Sequence, residues 1–278
     1  MTNKKSNDVI VAVDGTWLMH RAWHVRPNAV QYLILGWVCQ YVLEQKATHT
    51  LVAFDTGRSF RHDIIEGYKG TRVKSEDGTG ASDVFEVTVS YLQGLGIHCE
   101  FSGTNEADDV LNTVGYQWPR YHGKRAVLGT KDKDNLQGIT EDGSCVVLKP
   151  GTLAQGNKLI TAQVLFDETG FTPKQQLDYQ TLIGDKIDNI PAIITPAKAK
   201  KMILEFGSLK EYMVNNAAWA SENAVALNRN RKAVKLLTDC FELTPEKYAI
   251  SRLKKGRSDV KSTFYKQLSE ASSKRRLF

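Results

Sequence analysis

Cysteine is scarce and scattered in this chain. Only four occur in 278 residues, Cys39, Cys99, Cys145 and Cys240, with neither paired metal-ligand spacing nor a disulfide pattern. That argues against a thiolate metal site and a cross-linked scaffold, and predicts that most of the thiols are buried in a reducing compartment. Long apolar runs are also missing: none approaches the ~20 residues a membrane helix needs. The first residues, MTNKKSND, are polar and lead straight into a strand, so no signal peptide is expected. No Ser–His or Cys–His nucleophile pair is apparent, and there is no internal repeat or low-complexity linker. A cytoplasmic protein with no membrane contact is expected, its parts packed together.

Charge is present but unevenly spread. Residues 1–197 hold 19 Lys and Arg against 23 acids, whereas residues 198–278 hold 18 against 8. An acidic first part joined to a basic last part predicts a division between metal chemistry and phosphate binding. The length allows one large domain or a domain with an appendage.

The early chain alternates short apolar runs with helical segments. Strands are predicted at Val9–Val13, His49–Phe54, Ile97–Phe101, Arg125–Gly129 and Cys145–Lys149, and helices at roughly 17–24, 29–46 and 85–95. This pattern implies an α/β fold with a mainly parallel central sheet flanked by helices. Ligands in such sheets sit beyond the carboxyl ends of the strands, where Asp14, Asp55 and Asp132 fall. Residues 73–84, VKSEDGTGASDV, are rich in Gly, Ser, Thr and acid and are expected to form a mobile loop. After about residue 170 the chain turns helical, which suggests a core over 1–180 and a helical region over 181–278.

Nine acids fall in five clusters: Asp14; Asp55; Glu106, Asp108 and Asp109; Asp132 and Asp134; Asp185 and Asp188. An Asp beside a turn often only makes the turn, and Asn105 with Asp108 could cap a helix. Lys131 and Lys133 interleave with Asp132 and Asp134, so a salt-bridged turn is an alternative there. Asp185 and Asp188 are three apart and are expected on one side of a helical turn that Pro191 ends. Three acids within four residues nevertheless repel one another and call for a cation. Oxygen-only ligands favour hard ions such as Mg²⁺, with Mn²⁺ as a substitute, and so many carboxylates suggest two ions. Two such ions ~3.5–4 Å apart can clamp the attacking and leaving oxygens of a phosphoryl group. The segment FDTGRSFRHDIIEGYKGTR supplies the opposite charge. Arg58, Arg61, Lys69, Arg72 and Lys74 are candidates for phosphate contacts and Tyr68 for stacking on a base.

The ordered set DGTWLMHRAWH, FDTGRSFRHDIIEGYKGTR, EADDV, TKDKD and GDKIDNIP resembles the flap endonuclease/5′ nuclease superfamily over about residues 9–209. It is most similar to the 5′→3′ exonuclease domain of bacterial DNA polymerase I and to bacteriophage 5′ nucleases. The resemblance implies a PIN-like nuclease core, a helical arch over about residues 67–95 and a helical DNA-binding region related to helix–two-turn–helix. It implies Mg²⁺-dependent hydrolysis of 5′ flaps, nicked or free 5′ DNA ends and RNA primers. Asp14, Asp55, Glu106, Asp108 and Asp109 would form one metal cluster, and Asp132, Asp134, Asp185 and Asp188 a second. Lys69 and Arg72 would contact the scissile phosphate, and Arg21 would stand near the active site as a further catalytic residue. The stretch AIITPAKAKKMILEFGSL lacks the family's hairpin glycines and has Pro196 without an amide donor. Duplex binding there is therefore expected to rest on Lys198, Lys200 and Lys201 rather than on a K⁺ ion. With no polymerase sequence following, a monomer is expected, working with a separate polymerase or single-strand-binding protein. The basic tail, Lys254, Lys255, Arg257 and Lys274–Arg276, is a further candidate footprint. A catalytically silent binder of branched DNA is the alternative.

Overall fold

Five apolar runs become five parallel strands in the computed structural model, which describes residues 6–70, 78–152 and 155–250. They are β1 (Val9–Asp14), β2 (His49–Phe54), β3 (His98–Phe101), β4 (Arg125–Gly129) and β5 (Cys145–Lys149). A short antiparallel strand, β6 (Lys158–Ile160), closes the far edge and was not expected from the pattern. The order is β3-β2-β1-β4-β5-β6. Val, Ile and Leu fill the central strands because both faces are covered. Val11, Val13, Val52, Phe54 and Val127 point to one face, and Ile10, Ala12, Leu51, Ala53 and Leu128 to the other.

The first face is covered by α1 (Gly15–Val25), α2 (Val30–Glu44) and the longer helix α4 (Gly78–Gly94), which follows the single turn α3 (Arg61–Ile64). Residues 78–84 are helical rather than looped. Each helical glycine costs only about 1 kcal/mol, whereas burying Val89 or Leu92 stabilises by ~1.5–3 kcal/mol, so packing overrides composition. The earlier part of that expected loop, with Arg72 and Lys74, lies outside the described residues.

The opposite face carries α5 (Ala107–Gln117) and α6 (Ala162–Thr169). A further apolar cluster joins α7 (Pro173–Ile183), α8 (Pro196–Phe206), α9 (Leu209–Asn215) and α10 (Ala217–Val234) through Phe171, Leu182, Ala199, Ile203, Leu209 and Leu227. A short turn, α11 (Pro245–Tyr248), ends the described chain.

Between α10 and α11 the chain returns across α5 in irregular form. The polar face of α5 holds it in place. Asp109 accepts from Leu237 N–H at 3.0 Å, Asn112 donates to Leu237 O at 2.9 Å, and Gln117 donates to Thr238 O and Phe241 O at 3.0 Å each. Cys240 N–H reaches Thr113 at 3.3 Å. Side chains three or four apart on a helix share a face, so one polar stripe satisfies a segment with no ladder of its own. Cys39, Cys99 and Cys145 are buried free thiols and Cys240 is half-buried. Among the described residues no helix is long and apolar enough to cross a membrane.

Candidate metal centre

The sheet order reverses between β1 and β4, which opens a crevice beyond the carboxyl ends of these two strands. Asp14 ends β1 there. Its Oδ1 accepts from Trp17 N–H at 2.8 Å, capping α1, and Thr130 approaches its Oδ2 at 3.4 Å. The next residue must be glycine, because a Cβ on Gly15 would lie 2.6 Å from the Phe54 ring. Asp55 follows β2 and accepts from Ala107 N–H at 2.6 Å at the start of α5. Asp132 follows β4 and accepts from Asp134 N–H at 2.8 Å. Helix N-termini therefore aim amides at two of the three acids, which suits negative charge.

The nearby acids feel one another. Burial raises Asp14 to about 7, and the charges of Asp55 and Asp132 add to the shift. Burial also pushes Asp108 well above the usual carboxylate range, followed by Asp132, Asp14, Asp134 and Asp55. Asp134 rises to about 8 through burial and then Asp132, with smaller contributions from Asp185 and Asp188. The acids after β1, β2 and β4, on α5 and in the turn after α7 thus share one field.

Asp185 and Asp188 are not on a helix. Gly184 ends α7 with φ 61°, and a Cβ there would collide with the carbonyls of Ile190 and Pro191. The chain then makes a tight turn closed by an Asp185–Ile190 bridge, so Gly184 rather than Pro191 stops the helix. Asp185 Oδ1 accepts from Ile187 N–H at 2.7 Å. Burial acts against the Asp185 charge, but the Lys133 ammonium, 2.8 Å from its Oδ2, holds it below the usual range. The N-cap of α5 is Glu106, not Asn105, and Asp109 accepts from Glu106 N–H at 3.0 Å.

Several basic and aromatic side chains lie elsewhere than their sequence suggests. Arg61 is only 2% exposed. It grips Asp109 with two bonds of 2.6 and 2.8 Å, donates to Ala233 O at 2.7 Å and lies 3.6 Å from Glu106. It is closed to a phosphate, and Asp109, fully buried, is taken up by Arg61 and the backbone. Tyr68 is 4% exposed and cannot stack on a base. Its hydroxyl sits 3.1 Å from Glu106 Oε2 and 3.2 Å from Asp188 Oδ2, bridging acids from two motifs. Lys69, in the left-handed region at φ 55°, places its ammonium 2.6 Å from Glu106. Strained backbone of this kind persists where surrounding structure holds it, often at functional sites.

Arg21 donates to Gly151 O at 2.9 Å, and its guanidinium lies over Trp17 and Trp37. Arg58 is exposed and pairs with Asp63 at 2.8 Å. Lys198, Lys200 and Lys201 are exposed along α8. The basic tail, like Arg72 and Lys74, lies outside the described residues.

Sequence reasoning missed three participants, and it placed Lys133 beside Asp132 and Asp134 rather than on Asp185. Thr130 carries too generic a pattern to stand out. Asn135 and Gln180 are buried amides among polar neighbours in sequence, which give no sign of their burial. Asn135 donates to Asp108 at 2.5 Å and Gln180 to Asp134, while the carbonyl oxygen of each has no partner in the structure. Crowded carboxylates with raised proton affinity beside orphan amide oxygens are an all-oxygen donor set that fits a hard divalent ion. Among the described residues, no three His, Cys, Asp or Glu side chains are gathered closely enough to hold an ion as they stand.

Comparison with known proteins agrees with this architecture. DNA polymerase I of Mycobacterium bovis is 28% identical over 257 residues, covering 84% of this chain and 28% of that protein. DNA polymerase I of Streptococcus pneumoniae (serotype 4) is 32% identical over 174 residues, covering 61% and 19%. The chain spans from about a fifth to somewhat more than a quarter of these relatives' length. The T5 5′-exonuclease with bound zinc superposes with a TM-score of 0.67 at 20% identity, covering 95% of this chain and 99% of that one. The catalytic core of Rad2 in complex with DNA substrate gives 0.51 at 16%, covering 98% and 92%. The profile of the 5′-3′ exonuclease, N-terminal resolvase-like domain matches residues 9–171, well over half the chain. With its strand order, its acids at the sheet's carboxyl edge and this match in hand, the chain belongs to the 5′-3′ exonuclease family.

Proposed function

We propose that the protein is a structure-specific 5′ nuclease, acting as 5′→3′ exonuclease and flap endonuclease on DNA and RNA primers in replication or repair. The observation that carries this reading is the placement of Asp14, Asp55 and Asp132 at the carboxyl ends of β1, β2 and β4, with Asp108 in the first turn of α5 and Asp134 just beyond Asp132. In this reading Asp14, Asp55, Glu106 and Asp108 hold one Mg²⁺ or Mn²⁺, and Asp132, Asp134, Asp185 and Asp188 a second. Asp109 instead holds Arg61 and the start of α5. Bound ions would supply Lewis-acid polarisation of the phosphodiester and activation of water.

The chain's own residues orient the substrate. Lys69 exchanges Glu106 for the scissile phosphate and offsets charge that develops there. Arg72 and Lys74 extend that grip. Arg21 acts indirectly, by holding the loop at Gly151 against α1. Exposed Lys198, Lys200 and Lys201 on α8 take duplex phosphates as point charges, which calls for no K⁺ ion. A separate polymerase or single-strand-binding protein is a fitting partner.

A 5′-labelled flap with Mg²⁺ is expected to release short products, and EDTA to stop the release. Intact substrate across a range of Mg²⁺ and Mn²⁺ concentrations would reject the reading. A silent binder of branched DNA draws support from the two lysines that already neutralise Glu106 and Asp185. It would gain if the protein bound flaps tightly while Asp132→Asn left activity at the same background level.

A further inference from the structure

Two amides stand where an apolar side chain would pack at less cost. Asn135 is fully buried and Gln180 is 3% exposed, beside the buried Leu136 and Leu182. Each reaches one inner acid of the centre: Asn135 Nδ2 lies 2.5 Å from Asp108 Oδ1, and Gln180 Nε2 donates to Asp134 Oδ1. Beside a bound ion the carboxylate is ionised, so the NH₂ group faces it and the carbonyl points the other way. Neither carbonyl finds a donor. A buried acceptor left unmatched is a standing cost to the fold. That the arrangement occurs twice, at two acids of one cluster, points to a role other than packing.

We propose that Asn135 and Gln180 are positioning residues of the metal centre, each clamping one carboxylate oxygen of an ion-binding acid so that its other oxygen is left to the ion. The inference rests on the metal-dependent nuclease reading and deepens it. The two clamps are linked in series: α7 holds Asp134 through Gln180, and the next residue, Asn135, holds Asp108 on α5. A donor to a carboxylate favours its charged form and fixes its rotamer. Outer-sphere partners of this kind commonly change metal affinity by 10–100-fold.

The test uses Mn²⁺ alone as probe, titrated into the full chain without DNA and followed by electron paramagnetic resonance. Asn135→Leu and Gln180→Met remove the donor and the orphan acceptor together. Each is expected to weaken Mn²⁺ binding about tenfold, and to raise the Mg²⁺ concentration for half-maximal flap cleavage while the KM for flap stays the same. Asn135→Ser and Gln180→Asn, which withdraw the donor by shortening the side chain, serve if the apolar replacements do not fold. A weakening of less than threefold overturns the role of the residue concerned. If the unaltered protein binds no Mn²⁺, both the inference and the metal-dependent reading fall, whereas tight binding in protein and variants alike overturns the inference alone.

Discussion

Arg61 and Asp109 meet as a two-bonded ion pair with almost no exposure, although 48 residues separate them. The same guanidinium holds Ala233 O, and the same carboxylate holds Leu237 N–H and Glu106 N–H. A buried pair is weak evidence of net stability, but losing one partner leaves an uncompensated charge. Arg61→Met is therefore expected to destabilise the protein by about 3–5 kcal/mol in denaturant melts. Arg61→Met with Asp109→Leu should recover much of that loss. A single variant as stable as the parent would contradict the arrangement.

The pH dependence follows from Asp14, near 7, and Asp134, near 8. Both bind protons more tightly folded than unfolded, so their favourable contribution is complete below about pH 4 and disappears as pH rises through 7–8. In chelator, the melting temperature should fall by about 5 °C or more between pH 5.5 and 8.5. Saturating Mn²⁺ should flatten that slope. Calorimetry with and without chelator measures it.

Asp108→Asn removes a charge opposed first by burial and then by Asp132, Asp14, Asp134 and Asp55. The variant should melt several degrees higher than the parent in chelator at pH 8, and cleave flap DNA at least about 100-fold more slowly. This opposition of stability and activity is expected where a fold stores repulsion at a working site. A variant that melts lower in chelator would refute the account of the field.

Lys69→Ala removes the ammonium that faces Glu106. Single-turnover cleavage is expected to slow about 10²-fold, with flap affinity within a few-fold of the parent, because the charge acts at the transition state. Equal losses in rate and affinity would place Lys69 in general phosphate binding instead.

The sheet was readable because buried parallel strands are continuous apolar runs, and VIVAV, HTLVAF, RAVLG and CVVLK are just that. The strand β6 escaped because three residues with one buried side chain carry little pattern. Local composition misled at residues 78–84, where tertiary burial of the rest of α4 outweighs its glycines. The acids were legible as a set through their repeated placement at element ends. Their individual partners were not. Nothing near Arg61 in sequence announces Asp109, and a tyrosine beside a lysine reads as a surface stacker until Glu106 and Asp188 close over its hydroxyl. Asn135 and Gln180 look like solvated helix positions unless the packing around them is known.

The helix that opens with Glu106 and Asp108 also serves as the bed on which the returning chain lies. Its sheet side, its acidic tip and its polar flank form one stiff spar, so displacement at any of the three is felt by the others. An agent that peeled Leu236–Leu243 from that flank would strip α5 of the bonds that Asp109, Asn112, Thr113 and Gln117 make to it, without ever entering the crevice.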